Sequence, residues 1–202
     1  MGKWKRQGII TSDIIDGVRI VRKEYSQWQS MIQRTKGAKY YDSVTCSESF
    51  KDYGLYLSWA KNQRGFLNNN KDGSIWALDK DIVGDGTLYS EDTCVFVPQE
   101  INNLAKSNGD KDLPLGVTRV DKKKDGGNTL VSLGTYLGMT FTLGYYDDPL
   151  RAFEVYLKFR KLMIEDIAIR YGDTIDDRVI PKLLETCCID NYVLPDVSVD
   201  IL

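Results

Sequence analysis

Between residues 76 and 98 the chain reads WALDKDIVGDGTLYSEDTCVFVP, with five acidic side chains around a glycine-rich turn and apolar runs on either side. Asp79 and Asp81 lie two residues apart, so in an extended segment they point to one side and Lys80 to the other. Asp85 follows a glycine, and Glu91 and Asp92 arrive after Tyr89. Carboxylates gathered in this way repel one another and lose hydration unless a cation compensates. Two readings are open. In one the acids line a wet loop; in the other two of them hold a hard cation together with a substrate phosphate. An EF-hand is disfavoured, because the ligand spacing is wrong and no flanking helix pair is evident.

The chain has no histidine. That excludes a histidine general base, a Ser-His-Asp triad and any zinc site built on imidazole. A metal would be held by oxygen ligands, which suits magnesium, manganese or calcium. Cys46, Cys94, Cys187 and Cys188 form no C-x-x-C pair and read as buried thiols in a reducing cytosol.

The elements that position these residues follow from hydrophobic spacing. Tyr25, Trp28, Met31 and Ile32 mark a short amphipathic helix over 24–34, and Phe50, Tyr53, Leu57 and Trp59 another over 47–63. SIWAL and TCVFVP read as strands bracketing the acidic turn, followed by a helix started by Pro98. NGDKDLP (108–114) is the boundary, dividing the chain into 1–110 and 111–202. Beyond it LGVTRV, NTLVSLGTYL and MTFTLGYY read as a three-stranded antiparallel sheet. The segment 148–172 is the clearest helix, with proline in its first turn, an apolar stripe and a glycine after its end. A three-stranded sheet needs one face covered, and this helix is the natural cover.

Beside these readings stands a resemblance. EYSQWQSMIQRT, YYDSVTCSESFKDYGLYLSWA, IWALDKDIVGDGTLYSEDTCVFVPQEINNL, LPLGVTRV and DDPLRAFEVYLKFRKLMIEDIAIRYGD together resemble phage-encoded proteins of the homing-endonuclease class, over residues 20–190. Such proteins carry an HNH-type nuclease module followed by an AP2-like DNA-binding module. The resemblance implies an α+β fold: a divergent ββα-metal (HNH-like) module with flanking helices, then a three-stranded antiparallel sheet packed on a helix (AP2-like). It implies one Mg2+ or Mn2+ ion, with Asp79 as acidic ligand and Asp92 or Thr93 where the helix ligand is expected. Lys80 stands where the family has its general-base histidine. A lysine of ordinary pKa, about 10.4, is protonated at neutral pH and makes a poor base, so Lys80 would hold a phosphate or steady the transition state, and either Asp81 would serve as base or metal-bound hydroxide would form with little help from the protein.

The charge distribution adds a partner. Residues 1–40 carry nine Lys and Arg against three acids, although the net charge of the whole chain is -2. Arg6, Arg19, Arg22 and Lys23 fit an arm that tracks a nucleic-acid backbone. By analogy with sheets that read the major groove, Arg119, Lys122, Lys123, Lys124 and Tyr136 would meet double-stranded DNA, with Ser132 and Thr135 as shorter contacts. The bland alternative is that the three lysines are a charged hairpin tip. Lys158, Arg160 and Lys161 read as solvated charge or as further phosphate contacts.

Three functions follow as expectations. The first is a divalent-metal-dependent DNA endonuclease that nicks with one chain and needs a homodimer or a second event for a double-strand break. The second is a catalytically silent, sequence-specific DNA-binding protein or regulator. The third is a protein-binding inhibitor, which the acidic turn and tail would suit. No apolar run is long enough for a membrane span and the amino terminus lacks a signal-like apolar core, which points to the cytoplasm of an infected bacterial host.

Overall fold

Asp16 and Gly17 both take positive φ, 50° and 77°, the backbone of a type I′ turn. They close a hairpin of β1 (Ser12–Ile15) and β2 (Val18–Val21). An Asp-Gly pair between β-branched residues is the usual sequence signal of such a hairpin. Our computed structural model describes residues 9–37, 43–105, 112–121 and 128–188. Arg6, Lys122, Lys123 and Lys124 lie outside the described residues. The described chain divides into two units: residues up to Asn103 with Asp173–Val179, and Leu104 to Gly172 with the residues from Ile180 onward.

In the first unit the expected amphipathic helix is α1 (Lys23–Arg34), followed by the short strand β3 (Thr45–Cys46). The helix expected over 47–63 is two: α2 (Glu48–Lys51) and α3 (Tyr53–Ala60). Asp52 separates them. Its backbone is extended, and its carboxylate accepts the N–H groups of Gly54 and Leu55, the first donors of α3, which have no partner within the helix. Three strands and a helix follow: β4 (Ala77–Asp79), β5 (Leu88–Tyr89), β6 (Val95–Val97) and α4 (Gln99–Ala105). β4 pairs antiparallel with β6, setting Asp79 opposite Val95, and β3 pairs parallel with β5. Met31, Phe50, Tyr56, Ala60, Cys94 and Phe96 form the centre of the core. Burying side chains as large as Phe50 and Phe96 stabilises by about 2–3 kcal/mol each.

The second unit is built on β7 (Val117–Asp121), β8 (Asn128–Tyr136) and β9 (Met139–Tyr146), an antiparallel sheet with β8 in the middle. Helix α5 (Pro149–Tyr171) packs on it, capped by Asp148, whose carboxylate accepts the Leu150 N–H at 2.9 Å. A last helix, α6 (Val179–Glu185), begins where the second stretch of the first unit ends. The protein is therefore a mixed α+β chain with a three-stranded antiparallel sheet against a helix. No helix among the described residues is long and apolar enough to cross a membrane.

The register of the sheet decides which side chains share a face. Val117 pairs with Ser132, Arg119 with Leu130, Leu130 with Tyr146, Gly134 with Phe141 and Tyr136 with Met139. These residues face α5. Val117 and Leu130 join Phe153, Tyr156 and Leu157 in the core. A Cβ on Gly134 would sit 2.2 Å from the Phe159 ring, so only glycine lets helix and sheet approach this closely there. The opposite face carries Thr118, Val120, Thr129, Val131, Leu133, Thr135, Thr140, Thr142 and Tyr145.

Candidate functional site

The acidic turn begins at the end of β4. Asp79 is only 4% exposed, and its Oδ1 accepts the backbone N–H groups of Asp81 at 2.9 Å and Ile82 at 2.8 Å. Burial raises its pKa above the ordinary aspartate value. The Ile82 and Asp81 N–H groups and Lys80 pull the other way, while the Asp81 charge adds to the rise. Lys80 is buried as well. Its Nζ lies 2.5 Å from Asp81 Oδ1 and 5.4 Å from the centroid of the Tyr89 ring, whose hydroxyl accepts from Arg34 at 3.1 Å. The ammonium is thus spoken for on two sides, by a carboxylate and by an aromatic face.

Two further acids of the turn, Asp85 and Glu91, are engaged by neighbouring donors. Asp85 Oδ1 accepts both the backbone N–H and the hydroxyl of Thr87. Glu91 accepts the hydroxyls of Ser47 and Ser49, which ties the turn to the start of α2. Asp92 is exposed in a turn, and it is its carbonyl oxygen that accepts from Arg178. Thr93 donates its hydroxyl to the Leu88 carbonyl at 2.7 Å and accepts the Ser90 N–H at 3.0 Å. Gly84 brings the first turn against Thr93, since a Cβ there would lie 2.6 Å from the Lys80 carbonyl and 2.9 Å from Thr93 Cβ. Asp79, Lys80 and Asp81 therefore share one turn, and Thr93 lies against it at Gly84.

That assembly corrects the expected cofactor. Among the described residues no group of three or more histidine, cysteine, aspartate or glutamate side chains is placed to hold a metal ion. The physical reason lies in the donors. One Asp79 oxygen is committed to two amides in a buried position that disfavours its charge, and the Thr93 hydroxyl is used on both sides. The expectation of one Mg2+ or Mn2+ held by Asp79, Asp92 and Thr93 is withdrawn. Cys94, behind the turn, is fully buried, and burial pushes its thiol up to about 12.

Arg19 and Arg22 are engaged within the hairpin, and Lys23, at the start of α1, with a loop carbonyl. Arg22 forms a bidentate pair with Asp13 at 2.8 and 2.9 Å, Arg19 donates to the Ser12 hydroxyl, and Lys23 donates to the Gly73 carbonyl. Arg19 and Lys23 remain exposed. The hairpin also exposes Ile14, Ile15, Val18, Ile20 and Val21, an apolar ribbon that the charge count did not reveal.

In the second unit Arg119 is exposed on edge strand β7, in the row that faces α5. Tyr136 lies in that row too. Its hydroxyl donates to Asp166 and accepts from Arg170, both on α5. Ser132 is buried and its hydroxyl has no partner among the described residues, while Arg160 is buried and donates to the Leu104 carbonyl at 2.9 Å and to Thr186 at 3.1 Å. Of the described sheet residues named from sequence, Thr135 alone stands on the face away from α5. Its exposed neighbours there are Thr140, Thr142 and Tyr145, and Thr135 and Thr140 share a 3.1 Å hydroxyl contact. Strict alternation along the strand sequences could have found this row. Thr129 and Val131 on the same face are buried, so the open patch lies toward the β8–β9 turn.

No family model matches this chain, and neither a curated protein nor a solved structure does.

Proposed function

We propose that this protein binds DNA sequence-specifically through the β8–β9 half of its sheet, on the side turned away from α5. The observation that carries the reading is the patch of Thr135, Thr140, Thr142 and Tyr145. It is an exposed, hydroxyl-bearing surface on a sheet whose other face is filled by a helix. Groove-reading sheets need that arrangement, because their backbone bonds are internal and only side chains are left to meet base edges. The similarity of the quoted sequence segments to AP2-like modules supports the same reading. In the first unit, the similarity to HNH modules is taken as one of scaffold, with the acidic turn holding its own backbone. Exposed Arg119 on edge strand β7, and exposed Arg19 and Lys23 on the first unit, are cations of the kind that phosphate contacts require.

The test is selection of bound duplexes from a random-sequence pool by the full chain in the presence of a metal chelator. Recovery of a recurring sequence, bound with an affinity that falls steeply as salt rises, is the expected result. Recovery of the pool unchanged overturns the proposal.

A further inference from the structure

We infer that the outer face of α5 is a self-association surface, on which a second copy of this chain docks its own α5 in antiparallel orientation. The inner face of this helix is spent on the sheet, and every residue from Pro149 to Tyr171 is described. On the outer face Val155, Leu162 and Ile169 follow at seven-residue steps, which keeps them on one line along a helix. Leu162 is 64% exposed and Ile169 85%, and Ile169 is the most exposed large apolar side chain among the described residues. Beside this line Phe141, exposed on edge strand β9, packs its ring 5.6 Å from that of Phe159 on α5. The apolar surface thus runs from the helix onto the edge of the sheet.

Spacing and charge identify the occupant. Leu162 stands seven residues from both Val155 and Ile169. Two copies of α5 related by a twofold axis at Leu162 therefore set Val155 of each against Ile169 of the other, and Leu162 against itself. Lys158 and Glu165 are exposed, four residues before Leu162 and three after it, and at about 100° per residue both lie on one flank of the line. The same pairing brings Lys158 of each copy beside Glu165 of the other, giving two ion pairs. A parallel pairing would set lysine against lysine and glutamate against glutamate, so the charges choose the orientation. The longer segments outside the described residues fit less well. Residues 1–8 hold no acid to meet Lys158, residues 189–202 hold no Lys or Arg to meet Glu165, and residues 106–111 and 122–127 hold no apolar side chain to cover Leu162 and Ile169. A helix of 23 residues is about 35 Å long, so one of its faces with the β9 edge makes a small interface and a weak dimer, with a dissociation constant of about 10 μM. This surface lies opposite the sheet, and the inference stands apart from the DNA-binding reading.

The experiment is sedimentation velocity on the full chain, without DNA, from about 1 to about 100 μM. Wild type is expected to move from the 23.0 kDa monomer toward twice that mass across this range. Leu162→Glu, at an exposed position, is expected to weaken association more than about tenfold. Lys158→Glu and Glu165→Lys each place like charges across the axis, and each alone is expected to weaken it about tenfold. Mixing these two variants restores opposite charges at both pairs, so association is expected to return to the wild-type level in the mixture. That rescue cannot arise from a folding defect in either variant. Wild type that stays monomeric at about 100 μM overturns the inference. A dimer that Leu162→Glu leaves intact overturns it as well, as does a mixture that associates no better than its two components.

Discussion

The acidic turn of the first unit and the threonine patch of the second are both rows of polar side chains on short β segments, yet their polar atoms have opposite fates. In the turn, the chain has left the ladder, so successive N–H groups lack strand partners. An aspartate two or three residues earlier is well placed to accept them. Asp79 does this for Asp81 and Ile82, Asp85 for Thr87, and Asp72 for Ser74. In the sheet the ladder already satisfies the backbone, and the threonine hydroxyls are left over. The lesson is that aspartates at the start of a turn, such as Asp79 and Asp85, are taken up by the amides that follow them, whereas hydroxyls on a paired strand face outward with their backbone already satisfied.

The sharpest way to break this contrast is Asp79→Ala. If the carboxylate holds the turn, its loss strands two amides in a buried position and destabilises the chain by about 3 kcal/mol in urea unfolding. A value within about 0.5 kcal/mol of zero is what a merely solvated acid would give. Asp79→Asn keeps an acceptor oxygen and is expected to recover more than half of the loss. On the sheet side, Gly134→Ala drives a methyl into the Phe159 ring and is expected to cost about 2 kcal/mol, whereas Thr140→Ala on the open face changes stability little. Equal costs for the two would mean that both faces are packed.

The smallest effect is a dependence on pH. Because burial raises the pKa of Asp79, the folded chain keeps that proton over a range where the unfolded chain has released it. Stability from this group therefore falls as pH rises, from the ordinary aspartate value near 3.9 up through the folded value, and is level above it. Asp79→Asn lacks that fall. The stability difference between wild type and Asp79→Asn is expected to be more favourable to wild type at pH 4 than at pH 7, measured by urea unfolding at each. A difference that grows toward pH 7 would show a carboxylate held in its charged form.

The elements most legible in sequence were those with long or repeated signals. Helix α5 was expected over 148–172 and spans Pro149–Tyr171, because a proline start, a sustained apolar stripe and a closing glycine agree. The three sheet runs were found for the same reason. The single helix expected over 47–63 failed at Asp52, where a cap within an apolar run outweighs the periodicity around it. The roles of site residues were less legible than the elements. Asp79 reads identically as a ligand and as a turn cap, and only the positions of the Asp81 and Ile82 amides separate the two. Tyr136 reads as a groove contact until the register sets it beside Asp166 and Arg170.

The sequence by itself determined the mixed α+β composition, the three strands and long helix of the second unit, and the absence of imidazole chemistry. All of these depend on residue type and on spacing within one segment. Tertiary structure alone decided that Lys80 lies under Tyr89, that Arg160 is buried, and which row of the sheet is left open. Those outcomes depend on strand pairing and on side chains brought together from distant segments. A one-residue change of register would have exchanged the two faces of that sheet without altering a single local propensity.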